Sequence, residues 1–191
     1  FISKTTGFSP ETGIILGSGL GGLVKEIDIV KELNYSDIPG FPVSTVKGHG
    51  NKLIFGTLNG VKVVAMQGRF HFYEGYSMQE VAMPVRVMKF LGIKNLILSN
   101  ASGGVNPKYK VGDLMILDDH INLMGTNPLI GPNNDDLGPR FPDMGEPYDK
   151  TMIKNAKAIA DKHGFTCHTG VYAAVTGPSF ETCAEYKYIK F

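Results

Sequence analysis

Little in this sequence would tie the chain to a membrane, to nucleic acid or to a disulfide scaffold. No apolar run approaches the roughly 20 residues of a membrane-spanning helix, and the first residues lack the charged-then-apolar order of a signal peptide. Basic residues are never massed: 19 Lys and Arg face 18 Asp and Glu, a formal net charge of +1, and no basic block exceeds two residues. That argues against nucleic acid or an acidic membrane surface as the main partner. Cysteine is scarce too. Cys167 and Cys183 are too few for a disulfide framework and lack metal-ligand spacing. Reduced thiols in a cytoplasmic protein are the expectation, with no metal site. With no internal repeat and no dividing linker, residues 1–191 are expected to form one domain. Its 42% hydrophobic and 19% charged residues are those of an ordinary globular protein.

Glycine is plentiful at 24 residues, and it falls at punctuating positions. Residues 13–17 form a short apolar run entering a glycine cluster, as a buried strand would. Residues 43–46, 53–58 and 61–66 read as further strands, the last two joined by Asn59-Gly60, a strong hairpin signal. A helix is expected over 77–91, where Ser77 and Glu80 have capping-box spacing and Gly92 stands at the stop. Pro84 should kink this helix or delay its regular start. Residues 93–98 read as a central strand and 113–117 as another. A second helix is expected from about 149 to 163, closed by Gly164, then a strand over 171–175. Residues 181–191 read as a helix without a glycine or proline stop, so more chain is expected after it. More is expected before Phe1 as well, since the chain does not begin with methionine. Alternating strands and helices argue for an α/β fold, and the hairpin for a mixed sheet.

Residues 122–147 stand apart, with five prolines, four glycines and little periodicity. A loop this long inside a domain is usually functional or disordered, and Leu129 and Phe141 favour an ordered loop that covers something.

Four clusters could carry chemistry. Gly17-Ser18-Gly19-Leu20-Gly21-Gly22 follows a strand. Its amides can turn toward an anion, Ser18 adds a hydroxyl, and a following helix would add its dipole. The alternative is a tight turn with no ligand. In Gly68-Arg69-Phe70-His71-Phe72-Tyr73-Glu74, an extended chain would place Arg69, His71 and Tyr73 on one face. A guanidinium fork, an imidazole and a phenol there could bind phosphate beside a hydroxylated sugar. The alternative is a solvated strand face. Asn100-Ala101-Ser102-Gly103-Gly104 sits at a strand's C-terminal end, where open α/β sheets place ligands, though a plain turn explains it equally. In Thr176-Gly177-Pro178-Ser179-Phe180-Glu181, Phe180 could stack on a flat ring or be core. Glu181 is expected in the first turn of the next helix, where capping is a serious competing role.

Taken together and in this order, the four clusters resemble those of purine nucleoside phosphorylases of the trimeric, low-molecular-mass kind. The likeness extends from about Gly13 to the last residue and includes Gly48-His49, Val111-Gly112-Asp113, Asp119-His120-Ile121-Asn122 and Arg140-Phe141-Pro142. It implies a mixed β-sheet, partly closed into a barrel and flanked by helices. It implies that Ser18, Arg69 and His71 hold phosphate, helped by His49 and the backbone at Ala101. Tyr73 would lie along the ribose, and Asn100 and Ala101 would line the floor. Phe180 would pack on the purine and Glu181 would hydrogen-bond its ring, with Glu181 and His71 in catalytic roles. Phe141 would reach the neighbouring site of a homotrimer. No cofactor is implied, because inorganic phosphate is a co-substrate of the purine nucleoside. The family continues past the position of Phe191 with a serine, an asparagine and a histidine of the site.

Two rivals compete. Gly17, Gly19 and Gly22 also satisfy the dinucleotide fingerprint of an NAD-binding oxidoreductase, which needs an acid about 20 residues on at the end of a second strand. Glu32 and Asp37 are in range but on no evident strand. A non-catalytic nucleoside-binding protein is the other. His120, His163, His168 and the cysteines are expected to be structural.

Overall fold

The structure, a computed structural model, describes residues 1–43 and 50–190, which divide into two compact units, Phe1–Ser102 and Gly103–Phe191. Among the described residues no helix is long and apolar enough to cross a membrane.

The first unit begins with the short helix α1 (Ile2–Thr6) and is built on a five-stranded sheet. Its strands are β1 (Thr12–Ile15), β2 (Asp28–Asn34), β3 (Lys52–Leu58), β4 (Val61–Gln67) and β5 (Asn95–Leu98), in the spatial order β2-β3-β4-β1-β5. β1 runs parallel to both β4 and β5, whereas β3 is antiparallel to β2 and β4, so the sheet is mixed. The turn between β3 and β4 is the one Asn59-Gly60 dictates: both residues have positive φ, 48° and 82°, as a two-residue hairpin of this hand requires.

Both faces of this sheet are covered. Ile15, Leu53, Phe55, Val64 and Met66 pack on one side with Tyr35, Phe41, Phe70 and Met88. Their chain neighbours Ile14, Ile54, Val63 and Ala65 pack on the other with Leu16 and Ile27. Period-two alternation sends successive side chains to opposite faces, so two buried faces need the near-continuous apolar runs seen in β1, β3 and β4.

Helix α2 (Met78–Phe90) has the expected capping box: Ser77 Oγ accepts from the Glu80 amide, and Glu80 Oε2 accepts from the Ser77 amide at 2.7 Å. Hydrogen bonds from the Ser77 hydroxyl and amide hold the Glu80 carboxyl below its usual pKa. Pro84 lies inside the helix and is fully buried, so its ring serves packing while the helix is continuous across it.

The helix expected after the glycine cluster is a 3-10 helix, Gly21–Glu26. Two expectations need correction here. β5 stands at the end of the sheet order rather than at its centre. Glu32 does lie on a strand, β2, paired with Lys52 at 2.9 Å. Of the strand expected at 43–46, Val43 belongs to no element and 44–46 lie outside the described residues.

The second unit holds β6 (Leu114–Asn122) and β7 (Cys167–Ala174), paired in parallel, with α3 (Lys150–His163) packed against both and α4 (Cys183–Lys190) at the end. Asp149 caps α3 through its carboxylate, and Gly164 closes it in the left-handed conformation at φ 71°.

Candidate active site

β4 ends at Gln67, and the chain turns at Gly68, whose φ is 99°. The Tyr35 hydroxyl donates to the Gly68 carbonyl at 2.7 Å and so pins that turn from the core. Burial pushes the Tyr35 phenol pKa up, which keeps it a donor. Phe70 then enters an aromatic cluster, its ring centroid 5.2 Å from Tyr35, 5.7 Å from Phe41 and 5.9 Å from Tyr76.

With Phe70 anchored, Arg69 and His71 meet on their own terms. Arg69 Nε donates to His71 Nε2 at 3.2 Å, and the His71 and Tyr73 rings stack at 4.7 Å and 18°. The grouping expected of Arg69, His71 and Tyr73 is therefore present, but not through an extended chain. Residues Phe72–Glu74 form a 3-10 helix. That tight turn brings round Glu74, whose carboxylate accepts from the His71 amide at 2.8 Å and lies 2.9 Å from His71 Nδ1. The Glu74 side chain is only 3% exposed. An arginine Nε can only donate, so His71 Nε2 is an acceptor and the ring proton sits on Nδ1, toward Glu74. Nothing in the spacing of the motif had singled out Glu74; the turn is what reveals it.

The glycine loop and the end of β5 approach each other through Ser99, the second residue that sequence reasoning missed. Its hydroxyl accepts from the Gly17 amide at 2.9 Å, and its carbonyl accepts from Arg69 Nη1 at 2.8 Å. Gly17 tolerates no side chain: a Cβ there would lie 2.6 Å from the Ser99 carbonyl oxygen and 2.7 Å from Asn100 Cα. Ser18 beside it is exposed, as are Asn100 and Ala101, with Asn100 Nδ2 donating to the Ala101 carbonyl at 3.0 Å. His49 lies outside the described residues.

In the second unit, Phe180 is 91% exposed and so is not core. Glu181 is not in the first turn of α4. The cap is Thr182, whose hydroxyl accepts from the Glu185 amide at 3.2 Å while Glu185 Oε2 accepts from the Thr182 amide at 2.7 Å. Hydrogen bonds from the Thr182 amide and side chain hold the Glu185 carboxyl below its usual pKa. The carboxylate of Glu181 is left to accept from the Tyr186 phenol, whose pKa it raises. The capping role that competed for Glu181 belongs to its neighbours.

The loop between β6 and α3 has no helix or strand but is internally bonded, as an ordered loop must be. Arg140 Nη1 donates to the carbonyls of Leu129 and Gly131, each at 2.9 Å, and its guanidinium lies over the Phe141 ring at 5.7 Å. Phe141 itself is 86% exposed. His120 bonds Tyr148 Oη through Nδ1 at 3.1 Å, and His163 ends α3. His168 has a partner the sequence did not suggest: its Nε2 is 2.7 Å from Asp113 Oδ2, and its ring stacks on Tyr109 at 4.1 Å.

A sheet topology and two loops meeting on one serine can be compared with known proteins. Residues 11–190 match the family model described as the phosphorylase superfamily. Purine nucleoside phosphorylase 1 of Bacillus subtilis is 58% identical over 190 residues, covering 100% of this chain and 70% of that protein. This chain belongs to the purine nucleoside phosphorylase family. Two solved members show the fold likeness. Isoform 2 of the Schistosoma mansoni phosphorylase, in complex with cytosine and ribose-1-phosphate, matches with a TM-score of 0.92 at 45% identity, over 99% of this chain and 68% of that one. A Schistosoma phosphorylase in complex with hypoxanthine matches with a TM-score of 0.91 at 48% identity, over 98% and 68%. Membership of this family agrees with the topology. A dinucleotide-binding fold needs its second strand beside β1, whereas β2 pairs with β3 at the far end of the sheet and is separated from β1 by β3 and β4. The oxidoreductase reading falls on that point.

Proposed function

We infer that this chain catalyses the reaction of its family, the phosphorolysis of purine nucleosides to free base and ribose 1-phosphate. The observation that carries it is the meeting of Arg69, His71 and the glycine loop around Ser99, in a chain 58% identical to a purine nucleoside phosphorylase. Relatives at 45% and 48% identity are held with ribose-1-phosphate and with hypoxanthine, the two kinds of product this reaction makes.

The chemistry assigns each residue a task. As the glycosidic bond loosens, positive charge grows on the ribose and negative charge on the departing purine. Phosphate stabilises the sugar cation and attacks the anomeric carbon from the face opposite the base, inverting it. Arg69, Ser18 and the loop amides hold that anion with preorganised donors, and His49 and the Ala101 backbone join them. His71 Nε2 accepts from Arg69 Nε and so steadies the guanidinium that faces the anion, while Glu74 fixes the His71 ring through Nδ1. Tyr73 lies along the ribose, and Asn100 and Ala101 form the floor.

In the second unit Phe180 offers its exposed ring to the purine. Glu181 accepts from purine N1–H, a proton that inosine and guanosine carry and adenosine lacks, so 6-oxopurines are the preferred substrates. Phe141 covers the ribose of a neighbouring subunit in a homotrimer, and its exposure within its own chain supports that reading. The protein acts in the cytoplasm on free nucleosides.

Hypoxanthine release from inosine by the full-length protein, with and without phosphate, tests the proposal. Release that requires phosphate is expected. Inosine binding without turnover would instead favour a nucleoside-binding protein, and equal rates on adenosine would remove the assigned role of Glu181.

A further inference from the structure

We propose that Ser99 is a positioning residue for the phosphate site, coupling the glycine loop to the Arg69 guanidinium. The inference rests on the phosphorolysis reading for the identity of the anion, and on geometry within the first unit for everything else. Three chain segments that are far apart in sequence are tied by this one residue. Its hydroxyl accepts the Gly17 amide proton at 2.9 Å and donates to the Ile15 carbonyl at 3.2 Å. Its own amide donates to the same Ile15 carbonyl at 3.1 Å, so the residue is held to the end of β1 by main chain and side chain at once. Its carbonyl receives Arg69 Nη1 at 2.8 Å.

The hydroxyl and the carbonyl do different things. The carbonyl orients the guanidinium and is present whatever side chain the residue carries. The hydroxyl holds the Gly17 amide, while the Gly17 carbonyl accepts from the Leu20 amide at 3.1 Å, so the hydroxyl is the side-chain group that anchors the start of the loop and the direction of the amides at Ser18 and Gly19. Gly17 is buried, so water cannot simply replace the lost acceptor. The close approach at Gly17, where a Cβ would meet the Ser99 carbonyl oxygen at 2.6 Å, shows that the two backbones are in direct contact there. Removing the hydroxyl should therefore loosen the loop amides while leaving Arg69 in place. An anion bound by the loop loses affinity, and a nucleoside that does not touch the loop does not.

The test uses the full-length protein and three variants, Ser99→Ala, Ser99→Cys and Ser99→Thr, with the phosphate KM at saturating inosine and the inosine KM at saturating phosphate. Ser99→Ala is expected to raise the phosphate KM about tenfold, with the inosine KM within about twofold of wild type. Ser99→Thr keeps the hydroxyl and should restore the phosphate KM. Ser99→Cys, with a weak donor and acceptor of similar size, should fall between, and it carries the test if Ser99→Ala does not fold. An unchanged phosphate KM in folded Ser99→Ala or Ser99→Cys overturns the proposal, as does an equal rise in both KM values. If the wild-type protein does not turn inosine over, the functional reading has failed on its own. Titration of wild type and Ser99→Ala with inorganic phosphate in a calorimeter then decides this inference separately: about tenfold weaker binding by the variant supports it, and equal binding or none by wild type overturns it.

Discussion

Glu181 and Thr182 are adjacent and acidic-polar, yet they do unrelated work. Thr182 caps α4 with Glu185, and Glu181 has its carboxylate free of that duty. Their substitutions should separate cleanly. Glu181→Ala is expected to lower kcat/KM for inosine by about 100-fold or more with little change in melting temperature. Thr182→Ala should cost about 1 kcal/mol of stability, read in urea, with kcat/KM kept within a few fold. A Glu181→Ala protein that loses stability as much as activity would return the residue to a structural role. Tyr35 presents a similar contrast in the core. Tyr35→Phe keeps the buried ring and loses only the bond to the Gly68 carbonyl, so about 1 kcal/mol of stability should go in urea unfolding.

Among elements, the hairpin and the start of the β6-β7 sheet make testable demands. Gly60 sits at φ 82°, so Gly60→Ala should destabilise by about 1 kcal/mol, because alanine must be forced into the left-handed region. Asp113 precedes β6 and bonds His168 on β7. That hydrogen bond, with one from the Lys110 amide, holds the Asp113 carboxyl below its usual value. A carboxyl depressed in the folded state stabilises above its unfolded pKa, roughly 3.9, and the contribution is lost as pH falls through the lower folded value. Urea midpoints measured from pH 6 down to pH 2 should therefore fall less steeply for Asp113→Asn than for wild type. Parallel curves for the two proteins would mean that the pair contributes nothing to acid sensitivity.

At the scale of the whole molecule, assembly is the open demand. Phe141 is almost fully exposed in its own chain, an unusual place for a large apolar ring that its loop holds in order. Sedimentation of the full-length protein is expected to give the mass of three chains. Phe141→Ala should raise the inosine KM about tenfold, without lowering the melting temperature of the protomer, if a neighbour's ribose is what the ring covers. An unchanged KM would leave the loop without its assigned function.

Much of this protein was settled by its sequence alone, wherever a local rule governs. The Asn59-Gly60 hairpin, the Ser77 capping box, the stop at Gly164 and the apolar runs of β1, β3 and β4 each depend on a few neighbouring residues, and they came out as expected. The family could be recognised for the same reason, since its motifs are contiguous strings. Pairing between distant segments is another matter. That β5 ends the five-stranded sheet order, that β2 pairs antiparallel with β3 and that the Arg69 segment turns into a 3-10 helix depend on which strand finds which partner. Glu74 entered the site because that turn folds it back, and Ser99 because β5 lies beside β1, placing residue 99 against residue 17. Neither has a signature of its own. A serine at a strand's end is an ordinary residue until the sheet brings a buried amide and a guanidinium to it, and only tertiary structure decides that.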